Sequence, residues 1–288
     1  MIVPVDGGEL FVRDLGSGRP IILIHGGPDF DHAYLVPELD GLADQFRPVF
    51  YDQRGRGRSF RGETPDSVTI ESEIADLERV RAWTGAETVA LLGHSWGGLL
   101  AMEYAIRHPN RVSQLILLDT APASHEDMLA LRGELRSRRT PEQLERMTEL
   151  AADPAYLSGD IEKDAEYHRI HFAPTVRRRE DLDMVVGRLR VGFTPEGIVA
   201  ARAIEDSLYA QTWLNEDYDL IPELGGLRIP ALVIRGQGDF IPERASRRIA
   251  DAIPSSRFVE IADAGHFAYV EQPEVVCSTI AEFLAARA

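Results

Sequence analysis

Thr88-Val-Ala-Leu-Leu-Gly93-His94-Ser95-Trp96-Gly97-Gly98 decides the fold. Thr88–Leu92 reads as a short buried strand, and Gly97–His108 reads as a helix. Between them stands G-x-S-x-G, in the form G-H-S-W-G. A serine on so sharp a strand-to-helix turn has a strained backbone, and side chains at the flanking positions would collide, which is why glycine is needed there. The helix that begins just after Ser95 aims free N–H groups and its positive end at any oxyanion forming on that serine. Ser95 is the candidate nucleophile, and the chain is of the α/β class.

Outward from this turn the pattern alternates. Strand-like runs occur at Ile2–Val5, Leu10–Arg13, Pro20–His25, Pro48–Tyr51 and Val112–Leu118, with helices expected near Ala33–Gln45 and Thr69–Trp83. Such alternation implies βαβ units and a mostly parallel sheet flanked by helices. From Pro122 to Asp219 it stops, and only helical segments follow one another. Alternation resumes with Ile229–Arg235, Glu243–Ala252, Arg257–Ile261 and a closing helix from Pro273. The expected organisation is therefore a core of residues 1–121 and 220–288, interrupted by a helical lid over 122–219.

A serine hydroxyl needs a base. His266, in Asp263-Ala-Gly-His-Phe directly after the last strand, can return its ring to the turn; the other seven histidines lack that placement, and His32, His108 and His125 read as surface or loop residues. The base in turn needs an acid. Asp239 follows strand Ile229–Arg235 and gives the order Ser…Asp…His; Asp119, which also ends a strand, is its rival. Two N–H donors are needed for the oxyanion. The backbone of Trp96 offers one, and Gly27, in His25-Gly-Gly-Pro28 after strand Pro20–His25, offers the second.

His25-Gly-Gly-Pro28, Asp52-Gln-Arg-Gly-Arg-Gly-Arg-Ser59 and Gly93-His-Ser-Trp-Gly-Gly98 together resemble the proline iminopeptidase branch of the α/β-hydrolase superfamily. The resemblance covers nearly the whole chain and implies the α/β-hydrolase fold, oxyanion donors at Gly27 and Trp96, and a lid that shapes a pocket for an N-terminal residue. Two positions depart from it: Asp29 stands where the usual H-G-G-P-G has its last glycine, and Phe240 follows Asp239 where an acidic residue often helps hold the substrate amine. Asp29 and Glu205 are the candidate partners for that amine. Asp52 and Arg54 read as braces between loops.

Composition narrows the partners. A net charge of −16 repels nucleic acid and anionic membrane. Cys277 is the only cysteine, so no intramolecular disulfide forms. The start of the chain lacks the pattern of a signal peptide, and a cytoplasmic location is expected. No histidine or cysteine cluster has metal-ligand spacing. The expected enzyme works without a metal or other cofactor on a small-molecule or short-peptide substrate, as an aminopeptidase or, with the same machinery, a carboxylesterase or lactonase. Nothing in the sequence sets the oligomeric state.

Overall fold

The computed structural model describes residues 1–286. Eight strands form one sheet: β1 (Ile2–Val5), β2 (Gly8–Asp14), β3 (Pro20–Ile24), β4 (Arg47–Tyr51), β5 (Val89–His94), β6 (Val112–Leu118), β7 (Ala231–Gly236) and β8 (Ser256–Ile261). Their spatial order is β1-β2-β4-β3-β5-β6-β7-β8. The hairpin β1–β2 and the β2–β4 pair are antiparallel, and every other pairing is parallel. The four central strands β3, β5, β6 and β7 are apolar on both faces, because helices cover the sheet on both sides.

On the flanks lie α1 (Ile70–Trp83) and α2 (Trp96–Arg107). Helix α1 starts where Thr69 caps it, its hydroxyl accepting from Ser72 N–H while Ser72 Oγ answers to the Thr69 N–H. Its apolar stripe Ile70, Ile74, Leu77 and Val80 is buried. The expected helix over Ala33–Gln45 is instead two 3-10 turns, His32–Leu35 and Glu38–Asp44. Pro37 lies between them and cannot supply the N–H that a continuous helix would need, and Gly41 weakens the second piece.

After β6 the chain runs through α3 (His125–Ser137), α4 (Pro141–Ala152), α5 (Pro154–Leu157), α6 (Ile161–Phe172), α7 (Arg179–Arg188) and α8 (Pro195–Gln211) before it returns. The two ends of this excursion are tied: Ser124 and Asp219 form an antiparallel bridge, and Leu220 N–H donates to Ala123 O at 2.9 Å. Then come α9 (Ile221–Leu224), α10 (Glu243–Ala252), α11 (Ala268–Glu271) and α12 (Pro273–Ala285). Among the described residues no helix is long and apolar enough to cross a membrane.

Candidate active site

In a parallel sheet, loops at the carboxyl ends of the strands converge on one edge. Here the loop after β3 carries Gly27, the turn after β5 carries Ser95, and the loops after β7 and β8 carry Asp239 and His266. Ser95 has φ 53° and ψ −121°, a conformation that L side chains rarely adopt. It is held there from both sides: its N–H donates to Leu118 O at 3.1 Å, and its carbonyl accepts from Gly98 and Ala121 N–H. A methyl group at Gly93 would run into the Gly97 carbonyl, and one at Gly97 into the Ile24 carbonyl, so the flanking glycines are a steric requirement.

His266 Nδ1 lies 2.9 Å from Asp239 Oδ1, and both residues are buried. Asp239 Oδ1 also accepts from Ile241 N–H at 3.1 Å. The phenyl ring of Phe240 stacks on the imidazole, with centroids 4.3 Å apart and planes at 29°. Position 240 thus carries an aromatic wall for His266. Asp119, the rival acid, faces elsewhere: its carboxyl oxygens accept from Gly236 N–H at 2.7 Å and Ala268 N–H at 3.3 Å. Burial, and then the charge of Asp239, push its carboxyl well above the usual range, and through these two N–H groups Asp119 braces the two loops.

Ser95 and His266 share one cavity of about 300 Å³ with Gly27, Asp29 and Glu205. As the first residue of α2, Trp96 has an N–H that the helix itself does not use. Gly27, at φ +115°, belongs to a loop pressed against the serine: a methyl group on its neighbour Gly26 would sit 2.9 Å from Ser95 Cβ.

Two tying elements were not visible in the sequence. Gly26 N–H donates to Tyr34 Oη at 2.6 Å, Tyr34 Oη lies 2.8 Å from His94 Nδ1, and His94 Nε2 lies 2.9 Å from the His266 carbonyl. A carbonyl can only accept, so the proton sits on Nε2, and Nδ1 accepts from the phenol. Burial, then the neighbouring His266, hold His94 well below the usual histidine range and therefore neutral. The second tie is Thr175, just past α6. Its hydroxyl accepts from His266 N–H at 3.0 Å and Phe240 N–H at 3.2 Å, joining the loops after β7 and β8.

The two candidate amine partners differ. Asp29 is buried and its carboxylate is gripped by Arg190, whose Nε also donates to Asp164 Oδ2 at 2.9 Å; Arg202 closes on the far oxygen of Asp164. Glu205, on α8, is half-buried in the cavity wall, and no cation pairs with it among the described residues. Burial, and next the charge of Asp29, raise its carboxyl to about 8. Phe172, Tyr209 and Trp213 line the same cavity, and Phe193 packs with Ile198 and Ala201.

The loop of Asp52 and Arg54 is a brace. Arg54 makes a two-pronged contact with Asp76 at 2.8 and 2.6 Å, and Asp52 lies 2.5 Å from His32 Nδ1. His32, expected near the surface, is buried against that carboxylate.

Residues 19–273 match the family described as the alpha/beta hydrolase fold. Over 277 residues the chain is 28% identical to a proline iminopeptidase of Clostridium botulinum, an alignment covering 93% of this chain and 90% of that one. A thermophilic esterase from Thermogutta terrifontis superposes with a TM-score of 0.73 at 28% identity, covering 99% of this chain and 98% of the other. A proline iminopeptidase from Mycobacterium smegmatis does so with a TM-score of 0.72 at 25% identity, covering 99% and 97%.

Proposed function

The chain belongs to the α/β-hydrolase fold family and is a hydrolase, and on that premise we propose that it is a serine aminopeptidase of the proline iminopeptidase type. In this reading Ser95 Oγ attacks the carbonyl carbon of the N-terminal residue while His266 Nε2 takes its proton. Asp239, at 2.9 Å from Nδ1, fixes the tautomer and steadies the imidazolium. The backbone N–H groups of Gly27 and Trp96 receive the oxyanion. His266 then hands the proton to the departing amine, the acyl group remains on Ser95, and a water activated by the same histidine releases the free amino acid.

The observation that carries the peptidase reading is Glu205. Among the described residues it is in no ion pair, and it stands on the wall of a largely aromatic and aliphatic cavity that also contains Ser95. An arriving ammonium favours its ionised form and is held by it. Asp29, whose charge is already met by Arg190, is the weaker candidate for that ammonium. The apolar lining, with the likeness to the Thermogutta esterase, favours a second reading, a carboxylesterase or lactonase using the same residues. A location in the cytoplasm fits either reading.

Rates on proline arylamide, alanine arylamide and a short-chain aryl ester separate the two. Faster turnover of an amino-acid arylamide, with KM raised by Glu205→Gln, supports the peptidase. Fast ester cleavage with negligible rates on both arylamides overturns it. Ser95→Ala is expected to lose turnover by at least about a thousandfold on every substrate while the far-ultraviolet dichroism stays unchanged.

A further inference from the structure

A groove between α3 and α4 is lined by Arg132, Leu135, Arg136, Arg139, Leu144 and Thr148. Among the described residues no acidic side chain lines it, in a chain whose net charge is −16. Arg132 and Leu135 also line the cavity of Ser95, so the groove and the cavity share these two side chains. Elsewhere on these helices arginines are neutralised: Arg138 pairs with Glu134 at 2.7 Å, and Arg146 with Glu149 at 2.9 Å and Glu166 at 2.8 Å. Among the described residues Arg132, Arg136 and Arg139 are in no ion pair. Arg139 is the most confined of the three. Its Nη2 donates to the His171 carbonyl at 3.1 Å, its buried Nε has no hydrogen-bond partner, and burial pulls its guanidinium below the ordinary arginine value. A part-buried guanidinium without a counter-charge is costly unless an anion arrives to meet it.

We propose that this groove is an anion subsite that takes a carboxylate on the leaving portion of the substrate, as presented by the C-terminus of a short peptide. The inference rests on the aminopeptidase reading. With the substrate amine at Glu205, the N-terminal residue is contained in the cavity, and the part that projects from it is the leaving portion. Planar guanidinium groups pair with carboxylates in two-pronged fashion, and Arg132 lines both the cavity and the groove. The enzyme would therefore favour dipeptides and tripeptides with a free C-terminus over blocked or long chains.

The test compares a nitroanilide of one N-terminal amino acid with the carboxynitroanilide of the same residue, which adds a carboxylate to the leaving group. Wild type is expected to favour the carboxylated substrate in kcat/KM by about tenfold, a preference that fades with added salt. Arg132→Gln and Arg136→Gln are each expected to bring the ratio close to one, whereas Arg244→Gln, exposed on α10, leaves it unchanged. Because the ratio is read within each variant, partial misfolding cancels. Equal rates in wild type, or a ratio that survives both groove substitutions, overturn the proposal. If neither anilide is cleaved but phenyl esters are, the aminopeptidase reading falls, and the ratio of carboxyphenyl to phenyl ester decides the groove by itself.

Discussion

Tyr34 shows how much a single phenol can hold together. It accepts from the loop that carries Gly27 and donates to His94, which in turn holds the His266 carbonyl. Tyr34→Phe would leave the buried Gly26 N–H and His94 Nδ1 without partners. The expected cost is about 1–3 kcal/mol for each group stranded, read by denaturant unfolding. Because the phenol acts through the loop of Gly27 and through His94, kcat is expected to fall more than KM rises. Glu205 supplies a second prediction. With its folded value raised from 4.5 to about 8, the folded state keeps a proton that the unfolded chain has released. Stability therefore falls as pH rises from about 4.5 to 8, and the whole penalty is present above that window. Glu205→Gln is expected to flatten that stretch of the stability curve. On amine-bearing substrates, wild-type KM should fall as pH approaches 8 from below and the carboxylate forms, a trend absent in the variant.

At the scale of elements, the helical excursion between β6 and β7 is tied to the sheet at several points by polar contacts. Arg190, after α7, joins Asp29 in the loop after β3 to Asp164 on α6. All three are buried, so Arg190→Met leaves Asp29 without its cation, while Asp164 keeps Arg202. A loss of about 3–5 kcal/mol is expected, visible as a lower Tm, and replacing Asp29 by Asn in the same chain should return part of it. Thr175→Val keeps the shape of the side chain but strands the N–H groups of His266 and Phe240; a kcat loss larger than the loss of stability would show that the hydroxyl orients the imidazole. Neither contact could be read from local sequence, since Thr175 and His266 lie 91 residues apart and Arg190 and Asp29 lie 161 apart. What was legible was periodic or steric. The apolar runs at Pro20–Ile24 and Val89–Leu92 could only be buried strands, and glycine at 93 and 97 had to flank the turn. The stretch Ala33–Gln45 misled because its leucines keep a helical spacing while Pro37 forbids a continuous helix.

Across the whole molecule, acidic charge and apolar sheet act separately. The sheet and its flanking helices supply the cohesion, while a net charge of −16 works against compaction by self-repulsion. Raising the ionic strength at neutral pH is expected to increase Tm modestly, and solubility should pass through a minimum near the isoelectric point of about 4.9. An unchanged or lower Tm in salt would mean that specific ion pairs such as Arg54–Asp76 outweigh the general repulsion. Thr175 bears on how such a protein can be rebuilt. A laboratory recombination that exchanged everything between β6 and β7 for the corresponding stretch of a relative would carry away a side chain that the loops of Asp239 and His266 depend on. Gly265 is shaped to the same guest, since a methyl group there would strike the Thr175 carbonyl. A workable chimera would have to keep its crossover points inside the helical stretch, so that residue 175 stays with the parent of its loops.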